Sequence, residues 1–298
     1  MIARLEPICF IRTTSSKVHP HNWLDLQRID VVINEEAKRV GRILVMVLPV
    51  PRALARGGID YAVPHASPRA SRNGDGEMNI ERTVIRRDAL AVPCVIVEPP
   101  ASRGAAVIVH GYGGSKEEQL GLAWRVAEVG ITACAIDHRG HGEHELSLDE
   151  GVLQDVEAAI AYCRRFGKVA AIGHSSGGRL CLISSADFAI GISPALMTEV
   201  GPETERIVKG MRSYRARESF PGANFEILRK LPVPHSIDTT RTLILFGSRD
   251  VPEIVSVCKE LEKEGRAVEI NQGLHADMFL LEETFQQIAK NLRTWFGQ

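Results

Sequence analysis

The sequence predicts an α/β fold with a mainly parallel central sheet and helices on both faces. Continuous apolar runs such as "AAVIVHG", "ITACAID" and "KVAAIGHS" are typical of strands that are buried on both faces. Segments with helical periodicity separate these runs, and strands alternating with helices imply βαβ units. In such sheets the chemistry gathers at the carboxyl ends of the strands.

The elements follow one another in a regular order from residue 78 onwards. Two strands, "RTVIRR" and "VPCVIVEPP", precede "AAVIVHG", and three more are "FAIGIS", "RTLILFGSRD" and "AVEINQG". Helices are predicted in "KEEQLGLAWRVAEVG", in "LDEGVLQDVEAAIAYCRRFG" behind an Asp149 cap, in "SGGRLCLISSA", and at about 252 to 265 and 277 to 296. The charged stretch "KEEQ" is interpreted as a solvated face.

The composition changes at about residue 78. Residues 64–77, "PHASPRASRNGDGE", are rich in Pro, Ser, Gly and charge and have no apolar periodicity, which is typical of a linker. We therefore expect an N-terminal extension over residues 1–77, poorly defined or partly disordered, and one domain over residues 78–298. One hypothesis is that Met78 is the true initiator.

The composition also excludes several classes of partner. With 36 Lys and Arg against 37 Asp and Glu, the net charge of −1 favours neither nucleic acid nor an anionic membrane. The apolar run "ILVMVLPVP" is far shorter than the roughly 20 residues of a membrane span, and no secretion signal is recognised. Six cysteines without CxxC spacing predict free thiols in a cytoplasmic protein, of unknown oligomeric state.

The segment "GHSSG", residues 173–177, predicts a nucleophilic serine. It fits G-x-S-x-G with Ser175 at the centre, after a strand and before a helix, whereas centring the pattern on Ser176 would lose the first glycine. The glycines are needed because side chains two residues either side would collide with the tight turn, the nucleophile elbow.

Two further residues have the chemistry that a nucleophilic serine requires. Asp250 ends the strand "TLILFGSRD", and His275 follows the strand "AVEINQG", so the chain order is Ser, Asp, His. Ser175 needs His275 as a base, and His275 needs a carboxylate to orient it. Asp277 is an alternative carboxylate, but its proximity to His275 gives poor geometry for the far ring nitrogen.

A glycine-rich loop after the third strand predicts an oxyanion hole. The sequence "VIVHGYGGSKEE" leaves backbone N–H groups free to face a ligand, and the N–H groups of Tyr112 and Ser176 are the predicted donors. His110 is interpreted as a buried support for this loop.

Residues 80–298 resemble the α/β-hydrolase fold superfamily. The resemblance rests on "HGYGG", "DHRGHGEH", "GHSSGG", "FGSRD" and "GLHADM", in that order. It implies Ser175 as nucleophile, Asp250 as acid and His275 as base, with Tyr112 and Ser176 as oxyanion donors, and it says nothing about residues 1–77. The "D-x-R-G-x-G" loop at residues 137–142 is structural in related hydrolases, and no metal site is predicted there because Gly140 and Gly142 indicate a loop.

The resemblance also implies a small lid at about residues 195–240, between the sixth and seventh strands. Apolar residues in it either line an acyl or leaving-group pocket or form the lid's own packing, and the sequence leaves both open: Met197, Phe220, Phe225, Ile227 and Leu228.

The predicted function is that of a serine hydrolase acting on small-molecule carboxylic esters or related acyl compounds through an acyl-enzyme, without metal or organic cofactor. An aminopeptidase or amidase stays open, with Glu199, Glu203 or Glu205 as a site for a substrate amine, as does an acyltransferase. A ligand-binding protein that retains the fold without catalysis is the alternative from a different class.

Overall fold

The structure is a computed structural model that describes residues 77–234 and 237–297. The predictions for residues 1–77 and for Met78 as initiator are therefore not tested, because only Glu77 of that extension lies within the described residues. The described chain forms an eight-stranded sheet, and this confirms the predicted fold class. The strands are β1 (Asn79–Arg87), β2 (Leu90–Glu98), β3 (Ala105–Val109), β4 (Thr132–Ile136), β5 (Val169–His174), β6 (Phe188–Ile192), β7 (Thr242–Arg249) and β8 (Val268–Leu274).

The sheet order is β1-β2-β4-β3-β5-β6-β7-β8. The β1–β2 and β2–β4 pairs are antiparallel, and every other neighbouring pair is parallel. The carboxyl ends of β5, β7 and β8 therefore meet at one edge of the sheet, where the predicted nucleophile, acid and base lie.

The described chain has seven α-helices, six between strands and one after the last strand. They are α1 (Leu120–Glu128), α2 (Val152–Cys163), α3 (Ser176–Leu182), α4 (Pro202–Arg212), α5 (Ala223–Lys230), α6 (Pro252–Lys263) and α7 (Glu282–Phe296). Alternate residues of β3 face different layers of the core, since Val107 packs in the cluster that includes α2 and Ile108 in the cluster that includes α1 and α7. The helices thus cover both faces of the sheet.

Two local predictions were wrong. The "KEEQ" stretch is a 3-10 turn, Lys116–Gln119, and Lys116 is fully buried rather than solvated because it pairs with a carboxylate in the interior. Helix α2 has Gly151, not Asp149, as its N-cap residue; Asp149 instead accepts the Gly151 N–H at 2.8 Å. The five described cysteines are free and buried, and no helix among the described residues has the length and apolar character needed to cross a bilayer.

Helices α4 and α5 occupy the predicted insertion between β6 and β7. Arg179 of α3 holds this insertion although it is a charged residue with no exposed surface. Its guanidinium donates to the backbone carbonyls of four residues at both ends of the insertion: Ala195, Met197, Leu231 and Pro232. Burial lowers the pKa of Arg179 from its ordinary value, and the four carbonyls replace the water that the guanidinium gives up.

Candidate active site

Ser175 lies on a sharp turn between β5 and α3. Its backbone has φ 56° and ψ −120°, a conformation that non-glycine residues rarely adopt, and the following residue starts the helix. Strained residues of this kind persist where the surrounding structure determines them, and they gather at functional sites. The turn lifts Ser175 out of the buried strand, so its side chain is half-buried between buried neighbours.

The two glycines of the turn are required because the backbone passes close to itself. A Cβ on Gly173 would lie 2.3 Å from the carbonyl oxygen of Gly177, and a Cβ on Gly177 would lie 2.4 Å from that of His110. Both distances are far inside van der Waals contact. The collision expected from the sequence is thus present on both sides of Ser175.

A hydrogen-bonded chain joins the serine, the histidine and the aspartate predicted from the sequence. Ser175 Oγ lies 3.1 Å from His275 Nε2, and His275 Nδ1 lies 2.7 Å from Asp250 Oδ1. Asp277, the alternative carboxylate, instead accepts the backbone N–H of Leu274 at 2.8 Å and stabilises the turn before His275. The structure therefore brings Ser175, His275 and Asp250 together and separates Asp277 from the chain.

Asp250 is buried and still carries several hydrogen bonds. Burial alone would raise its pKa, but the contacts with His275 and Ser193 and the backbone N–H of Val251 outweigh it, so the pKa is below the ordinary value. An ionised Asp250 fixes the proton of His275 on Nδ1 and leaves Nε2 free to accept the proton of Ser175.

His174, which the sequence suggests packs beside the sheet, is buried and also makes a supporting contact that the sequence did not predict. Its Nε2 lies 2.8 Å from the backbone carbonyl of His275, so it donates a hydrogen bond there and anchors His275 at the carboxyl end of the sheet. Burial lowers the pKa of His174 to about 3, which keeps the ring neutral. Its place within the G-x-S-x-G pattern was the only signal in the sequence, since the partner lies 101 residues away.

The loop after β3 approaches the serine closely. A Cβ on Gly111 would lie 3.0 Å from Ser175 Cβ. The Gly113 N–H donates to His141 Nε2 at 2.9 Å and the Gly114 N–H to the Gly111 carbonyl at 3.0 Å. Among the described residues, the N–H of Tyr112, directly before Gly113, has no acceptor, and neither has the N–H of Ser176 at the start of α3. Both predicted oxyanion donors are thus N–H groups without an acceptor among these residues: Tyr112 follows the glycine that approaches Ser175, and Ser176 follows Ser175 itself.

Three buried imidazoles lie beneath this loop, and they are the residues of the described chain that could hold a metal ion. His110, His138 and His141 each offer a ring nitrogen, all within 4.8 Å of one another. Each Nδ1 faces a backbone carbonyl, which places the proton on Nδ1. Burial lowers the pKa of all three, for His141 to about 2, so the rings are neutral. Coordination would require His141 to release the Gly113 N–H.

The "DHRGHGEH" loop is held by ion pairs with buried members. Lys116 Nζ lies 2.6 Å from Asp137 Oδ2, and Arg139 binds both oxygens of Asp155 at 2.9 Å. These contacts fix the loop that positions His141 against Gly113. The interpretation of His110 as a buried support agrees with its full burial under the glycine-rich loop.

The apolar residues of the insertion divide between packing and exposure. Phe225, Ile227 and Leu228 are buried, and the Phe225 ring centroid lies 6.4 Å from that of Tyr112. Phe220 is 49 % exposed and lines a cavity of about 400 Å³ together with Ile227 and residues of the Arg139 loop. This cavity is separate from the triad, because none of the three triad residues lines it.

The chain matches a known protein family over more than half of its length. The sequence model of the alpha/beta hydrolase family matches residues 106–269. A comparison with curated proteins found no match.

Solved structures share this fold. An esterase of Pyrobaculum calidifontis is 20 % identical with a TM-score of 0.54, covering 74 % of this chain and 87 % of its own. Est1E from Butyrivibrio proteoclasticus, with ferulic acid bound, is 20 % identical with a TM-score of 0.53, covering 72 % and 97 %. A predicted CIB-like hydrolase from Thermoplasma acidophilum is 18 % identical with a TM-score of 0.51, covering 73 % and 100 %.

Proposed function

This chain belongs to the alpha/beta hydrolase family, and on that premise we propose that it is a serine hydrolase that cleaves carboxylic esters or related acyl compounds. The observation that carries the proposal is the chain of hydrogen bonds from Ser175 through His275 to Asp250, at 3.1 Å and 2.7 Å. A serine hydroxyl needs such a base to act as a nucleophile at neutral pH.

The first half-reaction acylates the enzyme. Ser175 Oγ attacks the carbonyl carbon of the ester while His275 Nε2 takes the hydroxyl proton. The carbonyl oxygen becomes an oxyanion, which the N–H groups of Tyr112 and Ser176 stabilise. The intermediate then collapses, the bond to the leaving-group oxygen breaks, and His275 returns the proton to that oxygen.

The second half-reaction releases the acid. Water attacks the acyl-enzyme carbonyl while His275 Nε2 takes a proton from it, and the same two N–H groups hold the second oxyanion. Collapse breaks the bond to Ser175 Oγ, which recovers its proton from His275. Throughout, the ionised Asp250 stabilises the positive charge that forms on the imidazole.

The ion pairs of the insertion weaken the case for an aminopeptidase at two of the three candidate carboxylates. Glu203 pairs with Arg206 at 2.6 Å, and Glu205 pairs with Lys209 at 2.6 Å, so both already have cations of their own helix beside them. Glu199 is exposed and pairs with no cation of the described residues, so the substrate comparison below decides between the two functions.

The test is the intact mass after exposure to a fluorophosphonate, for the wild type, Ser175→Ala and Ser176→Ala. We expect one adduct in the wild type and in Ser176→Ala, and none in Ser175→Ala. Turnover of p-nitrophenyl butyrate without turnover of aminoacyl anilides would then support an esterase over an amidase or aminopeptidase.

The proposal would be overturned if the wild type forms no fluorophosphonate adduct while its circular dichroism spectrum shows that it is folded. A ligand-binding protein that does not use the triad would give that result. Transfer of the acyl group to an added alcohol in preference to water would indicate an acyltransferase instead. The measurement is the ratio of the new ester to the free acid among the products.

A further inference from the structure

Arg212 ends helix α4, and its side chain runs over the glycine-rich loop after β3, here called the oxyanion loop (residues 110–114). A Cβ on Gly113 would lie 2.8 Å from Arg212 Cβ and 3.2 Å from Arg212 Cδ, so the first part of the side chain lies against this glycine. Gly113 has φ +67°, and it follows Tyr112, the proposed donor to the oxyanion. The side chain of Arg212 is therefore placed at the rim of the proposed site.

The neighbouring cations of the insertion all have partners. Arg206, Lys209, Arg215 and Arg229 pair with carboxylates, and Arg217 donates to backbone carbonyls. Within residues 77–234 and 237–297, Arg212 has neither an ion pair nor a hydrogen bond, although it is half-buried. A guanidinium that is partly removed from water and lacks a partner is a ready site for an anion.

The charge of Arg212 reaches the catalytic side of the loop. Burial is the main reason for the low pKa of His174; the neighbouring His275 ring and the positive charge of Arg212 also lower it, while the His275 carbonyl and Asp250 act against them. His174 bonds to the backbone of His275 and lies beside Gly111, with a Cβ on Gly111 3.2 Å from His174 Nδ1. The guanidinium thus acts electrostatically on His174, whose ring is bonded to the backbone of His275.

We propose that Arg212 binds an anionic group of the substrate, so that the preferred substrates are esters that carry a free carboxylate. The proposal rests on the proposed ester hydrolysis. A guanidinium binds a carboxylate through two parallel N–H···O bonds, which fixes orientation as well as adding affinity. The carboxylate belongs to the acyl chain, as in a monoester of a dicarboxylic acid, or to the leaving group.

The test compares esters that differ in charge. Mono-p-nitrophenyl glutarate carries the carboxylate on the acyl chain, 4-butyryloxybenzoate carries it on the leaving group, and p-nitrophenyl butyrate and phenyl butyrate are the respective neutral counterparts. The quantity to measure is the ratio of kcat/KM for each anionic ester to that for its neutral counterpart. The variants are Arg212→Met and Arg212→Lys, with Arg206→Met as control because Arg206 is exposed on the same helix.

We expect Arg212→Met to lower this ratio by about tenfold to a hundredfold for one of the two anionic esters, the usual effect of losing a charged hydrogen bond. Arg212→Lys should retain part of the preference, and Arg206→Met should retain all of it. In the wild type, raising the ionic strength should lower the ratio, which needs no variant.

An equal ratio in the wild type and Arg212→Met for both anionic esters would overturn the inference while ester hydrolysis itself stands. Failure of the proposed function gives a different pattern: no fluorophosphonate adduct and no turnover of either ester class. Calorimetric binding of glutarate to the wild type and to Arg212→Met tests the anion site independently of turnover, and equal affinities there would also overturn it.

Discussion

The hydroxyl of Ser193, the residue directly after strand β6, donates a hydrogen bond to Asp250 Oδ2. The other oxygen of this carboxylate faces His275, so Ser193 touches the proposed triad from behind. Ser193 is fully buried and has φ 47°, and its own N–H is bound to the carbonyl of Leu245. Its backbone conformation thus points a hydroxyl at a carboxylate that has been removed from water.

Replacing Ser193 with Ala should slow the proposed reaction without abolishing it. Asp250 would lose one donor to its charged form, which raises its pKa and weakens its hold on His275. We expect the rate of fluorophosphonate labelling to fall about tenfold, which corresponds to a rise of roughly 1.5 kcal/mol in the activation free energy. Ser248→Ala is the control, because Ser248 accepts the Gln272 N–H and does not touch the triad. An unchanged labelling rate in Ser193→Ala would contradict this role.

The two carboxylates near His275 should differ sharply when neutralised. Asp250→Asn would leave the imidazole without its ionised partner, and we expect kcat to fall on the order of a thousandfold or more. Asp277→Asn retains an oxygen that can accept the Leu274 N–H, so its activity should stay within about threefold of the wild type. Ester hydrolysis under saturating substrate is the measurement, and similar losses in both variants would refute the assignment of Asp250.

Much of the fold and of the site could be predicted because the signals are local. The strands are short apolar runs, and the G-x-S-x-G turn contains both the proposed nucleophile and the glycines that its geometry requires. The proximity of Asp250 and His275 to Ser175 could be predicted because strand ends of a parallel sheet share one edge. Each of these inferences needed only the residues themselves and the order of the elements.

The rest depends on contacts that no local pattern contains. Arg179 is buried although it carries a charge, because backbone carbonyls up to 53 residues away surround it. Lys116 was predicted to be solvated because it lies in a charged stretch. It is buried because it pairs with Asp137, which lies 21 residues further along the chain. A buried charge is tolerated only where the tertiary structure supplies partners. Composition contains no information on such partners, so it predicts that a Lys or Arg side chain is exposed.

The glycine requirement at the turn can be tested by stability. Gly177→Ala places a Cβ 2.4 Å from the carbonyl oxygen of His110, a backbone atom that cannot move without displacing the oxyanion loop. We expect a loss of more than about 3 kcal/mol in the free energy of unfolding, or failure to fold. Gly210→Ala lies in helix α4 with no atom near its Cβ and should gain about 0.5 to 1 kcal/mol. Urea unfolding distinguishes them, and a Gly177→Ala protein as stable as the wild type would be inconsistent with the turn described.

The ion pair between Arg139 and Asp155 should make stability depend on acid pH. Burial alone would raise the pKa of Asp155, but the contacts with His144 and Arg139 lower it to about 2, against an ordinary value of 3.8. The folded state therefore binds its proton at lower pH than the unfolded state does. The stabilisation is complete above about pH 4 and is lost as the pH falls towards 2, and it amounts to about 2 kcal/mol.

Asp155→Asn isolates this contribution from that of the other carboxylates. We expect the variant to be less stable than the wild type at pH 6, with the difference in unfolding free energy narrowing as the pH falls from about 4 towards 2. Glu157→Gln is the control on the same helix: Glu157 accepts hydrogen bonds from Ser185 at the surface and has no contact with Arg139. Because Asp155 also accepts the Arg139 backbone N–H at 2.8 Å, part of the penalty in Asp155→Asn should persist at low pH. A difference that stays constant across this range would show that the charge of Asp155 contributes nothing to the stability of the loop that positions His141.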